Sequence, residues 1–181
     1  MNKAQQITEL LMGKKGKRGE NPIMLTVQQL RQYANQFKHG EERPVSIFST
    51  NSIIKNKTIT IKGEARGTKS YPITIVFFNA DYSLEPDSTH PLTVRTKMGE
   101  KAYMTPLSET TNPVQVRCGC PSYAMRFAHW NKENKALTGA PFPTYIRKTV
   151  TRPEINSSHS PGICKHIIAF LDKLRGDKIL Q

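Results

Sequence analysis

Four residues stand out for the chemistry they could do together. All three cysteines of the chain fall in two tight pairs, Cys118 with Cys120 in C-G-C and Cys164 with His166 in C-K-H. Three sulfurs and one imidazole make a ligand set suited to tetrahedral Zn²⁺ in a closed structural site, one ion per chain. An odd number of cysteines cannot pair completely within one chain, so a disulfide framework is the poorer account. The competing reading packs three reduced cysteines as small hydrophobes and leaves the histidine on a helix flank. With four protein ligands, a bound metal has no open position for water, which argues against Lewis-acid catalysis.

The two pairs need different elements to aim them. In an extended segment side chains alternate, so Cys118 and Cys120 point to one side with α-carbons about 7 Å apart. They share parity with Val114 and Val116, which places them where the inward face of a strand runs out. Two positions apart within a regular helix, Cys164 and His166 would diverge by about 200°. They must therefore straddle a helix start. Pro161-Gly162 supplies the turn, with Cys164 near the cap and His166 in the first turn, and the helix dipole favours the thiolate form of Cys164. Such a clip joins the end of a sheet to two C-terminal helices and pins the base of a long loop. The residues from 137 to 161 are rich in Pro, Ser, Thr and Asn with little periodicity, and a loop of that length is functional or tied down.

The remaining chain predicts an α+β protein. Thr26 stands three residues before Gln29 in a capping-box arrangement, and Val27, Leu30, Ala34 and Phe37 follow at helical spacing until His39-Gly40. From Val45 to Val116 short alternating runs predict a mainly antiparallel sheet of four to six strands on which this N-terminal helix packs. Ile73–Phe78 is apolar on both faces, the pattern of a central strand with Pro72 at its first position. Pro121 leads into Tyr123, Phe127 and Trp130, an apolar stripe on one helix that reads as a core face rather than a base-stacking platform. The last helix runs from Ile163 to Leu174 and stops at Gly176. Three segments result: a flexible basic arm (1–21), the helix and sheet (22–116), and a helical zinc-binding module with the 137–161 loop (117–181).

Charge points to partners. Lys and Arg number 27 against 14 Asp and Glu, a net +13, which implies a polyanionic neighbour such as nucleic acid or an acidic protein surface. Residues 117–181 hold eleven Lys and Arg against four Asp and Glu, so the cysteine-bearing end is strongly positive. Candidate contacts are Lys14, Lys15, Lys17 and Arg18 in the arm, and Arg147, Lys148 and Arg152 in the loop. His90, His129 and His159 read as ordinary surface residues. No spaced carboxylate set, phosphate-cradling glycine loop or oriented Cys/His nucleophile pair argues for an enzyme. No apolar run of eighteen residues and no signal-like N-terminus is present, so the expectation is a soluble protein made in a reducing cytoplasm, with no membrane partner.

The order C-x-C, then C-x-H opening an apolar helix, resembles the SWIM-type zinc finger, with a spacer longer than that family usually has. By that resemblance Cys118, Cys120, Cys164 and His166 take the four ligand positions. Together with G-E-A-R (63–66), V-R-C-G-C-P-S-Y-A-M-R-F-A (116–128) and P-G-I-C-K-H (161–166), the chain resembles SWIM-containing proteins of tailed bacteriophages, some described as virion proteins, over roughly residues 58–175. The resemblance implies binding of DNA or protein and no catalysis. The resulting expectation is a non-enzymatic zinc-binding structural protein of a phage virion, part of a larger assembly of virion or assembly proteins and DNA. The alternative is a cytoplasmic nucleic-acid-binding accessory or regulatory protein.

Overall fold

The computed structural model describes residues 24–34, 45–66, 69–143, 146, 151 and 154–181. The basic candidates Lys14, Lys15, Lys17, Arg18, Arg147, Lys148 and Arg152 lie outside these residues, as do Phe37 and His39-Gly40.

Helix α1 (Val27–Ala34) starts as its sequence requires. The Thr26 backbone N–H donates to Gln29 Oε1 at 2.8 Å, and the Gln29 N–H returns a longer bond to Thr26 Oγ1 at 3.4 Å. Two donors that the helix leaves over are thereby satisfied. Val27, Leu30 and Ala34 are its buried stripe.

Among the described residues seven strands follow in one sheet: β1 (Ser46–Lys55), β2 (Thr58–Arg66), β3 (Ser70–Phe77), β4 (Tyr82–Ser83), β5 (Leu92–Thr96), β6 (Lys101–Met104) and β7 (Val114–Cys118). The spatial order is β4-β6-β5-β1-β2-β3-β7, and every neighbouring pair is antiparallel except β1 and β5. The mainly antiparallel α+β expectation holds. The strand number is higher than expected because β4 has only two residues and carries no periodicity to read. Residues Asn56 and Lys57, both with positive φ (49° and 58°), close the β1–β2 hairpin in the twist that flanking strands favour.

The expected central strand is displaced. β3 is flanked by β2 and β7 and lies next to the sheet edge, while β1 occupies the middle. Local apolarity reports burial, not rank in the sheet: Ile73, Ile75, Val76 and Phe77 are buried, with a side chain from each face among them. Pro72 is the third residue of β3 rather than its first. It is tolerated there because the β3–β7 ladder ends one residue away, at Ile73 opposite Cys118.

One face of the sheet carries Ile54, Ile59, Ile61, Ile73, Ile75, Phe77, Val114 and Val116 into a common core. The helix α4 (Lys165–Gly176) lies against β1, β2, β3 and β7 and contributes Ile167, Phe170, Leu171 and Leu174. Each such side chain, fully buried, is worth about 1.5–3 kcal/mol relative to exposure. Arg31 of α1 bridges Asp172 (2.8 Å) and Glu109 (3.4 Å), and Arg175 of α4 reaches the same two carboxylates, so both helices are tied together at their rim.

Where one continuous helix is expected after Pro121, two short ones form, α2 (Pro121–Arg126) and α3 (Ala128–Glu133), meeting at Phe127. Tyr123 and Phe127 are fully buried, as the apolar stripe predicts. Trp130 is not: the break turns it away from the core, and it is half-buried with its ring stacked on His159 at 4.4 Å between centroids. Among the described residues no helix is long and apolar enough to cross a membrane.

Candidate metal centre

The strand end, one helix start and a second helix start deliver the four side chains to one point. Cys118 is the last residue of β7, on the inward parity of Val114 and Val116. Cys120 is the N-cap of α2, where its sulfur accepts the Tyr123 N–H at 3.3 Å. Cys164 is the N-cap of α4 and His166 its second residue, the straddling geometry that the spacing demands.

All four are buried, and their ligand atoms lie within 4.8 Å of one another. Cys164 Sγ and His166 Nδ1 are 4.0 Å apart. A tetrahedral zinc site with bonds of about 2.0–2.3 Å has ligand–ligand edges of about 3.5–3.8 Å, so small side-chain adjustments close the set on one ion. Among the described residues this is the one group of three or more His, Cys, Asp and Glu side chains placed to share a metal.

The C-G-C spacing has a steric reason. Gly119 N–H donates to the Pro72 carbonyl at 2.9 Å, and Pro72 has no N–H to return. The ladder stops there, which frees the chain to turn from β7 into α2 between the two cysteines. A Cβ at Gly119 would stand 2.9 Å from Pro72 Cδ, so the chain's close approach requires glycine.

The other half of the site is held by a buried amide that sequence reasoning did not single out. Asn131 is fully buried; its Nδ2 donates to the Gly162 carbonyl (2.9 Å) and to Tyr123 Oη (2.9 Å), and its Oδ1 accepts the Gly162 N–H (2.8 Å). Tyr123 Oη donates onward to the Val116 carbonyl at 2.8 Å. One polar chain thus links β7, α2, α3 and the segment entering Cys164. Gly162 packs so closely that an added Cβ would meet Phe127 Cε1 at 2.7 Å. Asn156 does similar work on the loop, donating to the Arg126 and Ser160 carbonyls at 2.8 Å each. A lone Asn, whether inside a helix like Asn131 or in a loop turn like Asn156, gives no local signal of burial, so only the fold reveals these two.

Electrostatics distribute the protons unevenly. Cys120 is held well below its ordinary pKa, first by a hydrogen bond from Cys118 and then by one from Cys164. Cys118 is pushed up to about 12, chiefly by its hydrogen bond with Cys120, and burial pushes Cys164 up as well. The expected thiolate preference of Cys164 at its helix start is therefore overridden by desolvation and two neighbouring sulfurs. Ionising all three thiols in so dry a place would require a cation among them. The donor chemistry, the burial and the mutual distances all fit a dication such as Zn²⁺. Tyr71 packs against the His166 ring at 5.0 Å between centroids.

The other described histidines take ordinary places. His129 is exposed, His159 pairs with Glu154 at 3.2 Å, and His90 is bound in a turn by Asp87 at 2.7 Å. Compared with protein families, with curated proteins and with solved structures, the chain finds no match.

Proposed function

We propose that Cys118, Cys120, Cys164 and His166 hold one structural Zn²⁺, and that the protein is a non-enzymatic assembly component that docks on neighbouring proteins or DNA. The observation that carries this reading is the convergence of four buried ligand side chains, with all ligand atoms within 4.8 Å, from two segments far apart in the chain. The ion would neutralise charge among the sulfurs and fasten the sheet end to α2 and α4. The site's closure supports a structural role, since all four tetrahedral positions are filled by protein. The phage-virion setting rests on the resemblance of the cysteine-bearing segments, and the net +13 charge supports an acidic or polyanionic neighbour.

Metal analysis of protein purified without chelator tests the first part, with one zinc per chain expected and none overturning it. Mass spectrometry of purified particles tests the second. A fixed copy number supports a virion component, whereas absence from particles with retained DNA binding supports the cytoplasmic accessory or regulatory role.

A further inference from the structure

The strand register divides the sheet's side chains between two faces, and the face turned away from α4 has a distinct chemistry. Lys101, Arg95, Ile53, Thr60, Val76 and Gln115 form one row across it, and Asn51, Lys62, Thr74 and Arg117 the next. Over β3 and β7 this face is partly covered: Gln115 donates to the Lys135 carbonyl, and Arg117 to the Thr138 and Ala140 carbonyls. Among the described residues the one helix in substantial contact with β1 and β2 is α4, which lies on the other face.

That open part is basic. Its strand residues include Lys55, Lys62, Arg66, Arg95 and Lys101 against one carboxylate, Glu64, which lies 4.0 Å from Arg66. Lys55, Lys62, Lys97 and Lys101 are exposed, and among the described residues none has a carboxylate within ion-pair distance. Parallel pairing of β1 with β5 brings the Asn56-Lys57 turn beside the turn after Thr96. Between them lies an open cleft of about 380 Å³, lined by Ile53, Lys55, Asn56, Thr58, Thr60 and Lys97. It offers two ammonium groups, two hydroxyls and a carboxamide, and no carboxylate.

We infer that this sheet face is a platform for a nucleic-acid backbone, with phosphates seated in the cleft between the two turns. Lys55 and Lys97 neutralise the phosphate charge there, and Thr58, Thr60 and Asn56 can donate to its oxygens. Such contacts fix position without reading sequence. An acidic protein partner fits less well, because protein interface cores are depleted in lysine and enriched in aromatic side chains and methionine, whereas this cleft exposes lysines around a single isoleucine. The inference is independent of the metal centre, which sits on the opposite, buried face.

The test is fluorescence anisotropy of the zinc-loaded full chain with two labelled probes, a thymidine oligomer and a mixed-sequence duplex, across a salt series. Replacing Lys55→Gln and Lys97→Gln together should weaken duplex binding by about tenfold or more near 100 mM salt, and flatten the log–log salt slope by about 0.9 per lost phosphate contact. Lys55→Arg with Lys97→Arg should retain both affinity and slope. Deleting residues 1–19 should leave the difference between parent and double variant intact, which separates the sheet's share from any share of the arm. Equal binding by parent and Gln variant, with unchanged zinc content and melting, would overturn the inference. So would failure of the parent to bind either probe at low salt.

Discussion

The two ends of β1–β3 solve opposite problems. At the Cys118 end the backbone is spent completely: the ladder stops at Pro72, Asn131 and Tyr123 satisfy the buried polar groups, and four ligand side chains meet in a dry pocket. At the Asn56 end the side chains are wet and mostly cationic, and among the described residues no carboxylate pairs with Lys55 or Lys97. The difference is instructive because the same pleat produces both. Burying sulfur and imidazole needs convergence from distant segments, whereas displaying lysines needs only alternation. The buried end should therefore be costly to perturb and the exposed end cheap.

Removing the metal is the largest perturbation expected. Structural zinc binding is worth roughly 10–16 kcal/mol in small sites, so chelation or Cys164→Ser should open the 137–161 loop to protease and raise hydrogen exchange in α2, α3 and α4. Strands β1, β2, β5 and β6 should exchange far less. Uniform loosening of both ends would erase the contrast.

Asn131→Ala comes next. It leaves the Gly162 N–H and carbonyl buried without partners, and each orphaned group costs about 1–3 kcal/mol, so denaturant titration should show a loss of about 3 kcal/mol or more. Gly162→Ala should follow at about 1–3 kcal/mol through overpacking against Phe127, with Gly119→Ala comparable or smaller, since the Pro72 ring it meets is closer to the surface. If either glycine variant melts like the parent, the close approach at that position is not constraining.

At the exposed end, Lys62→Gln should change stability by no more than about 0.5 kcal/mol. A larger loss in thermal denaturation would mean that Lys62 has a structural partner. The smallest effect belongs to the Asp87 turn. Hydrogen bonds led by Thr89 lower the Asp87 pKa to about 2, so its contribution is present above the unfolded value of about 3.9 and disappears as pH falls through about 2. An NMR titration of that carboxyl with a midpoint near 4 would contradict this.

Much of the candidate metal centre was legible because its signals are local. Residue type names the chemistry, parity places Cys118 with Val116, and the geometry of a helix start forces Cys164 and His166 to straddle it. The Thr26–Gln29 cap is local in the same sense. The break at Phe127 was not legible, because the apolar stripe continues across it in sequence with no glycine or proline to mark it.

By itself, the sequence determined which side chains could bind a metal, which segments alternate, where two helices begin, and that the chain is strongly cationic. Only the tertiary structure decided that β3 sits beside β7 rather than at the centre, that Asn131 reaches Gly162, and that lysines from β1, β2, the β5–β6 turn and β6 gather on one face. The physical reason is range. Caps and pleats follow from bonds within a few residues, whereas strand order, buried amide networks and the summed charge of a face arise from contacts between residues far apart in the chain, whose free energy no local pattern carries.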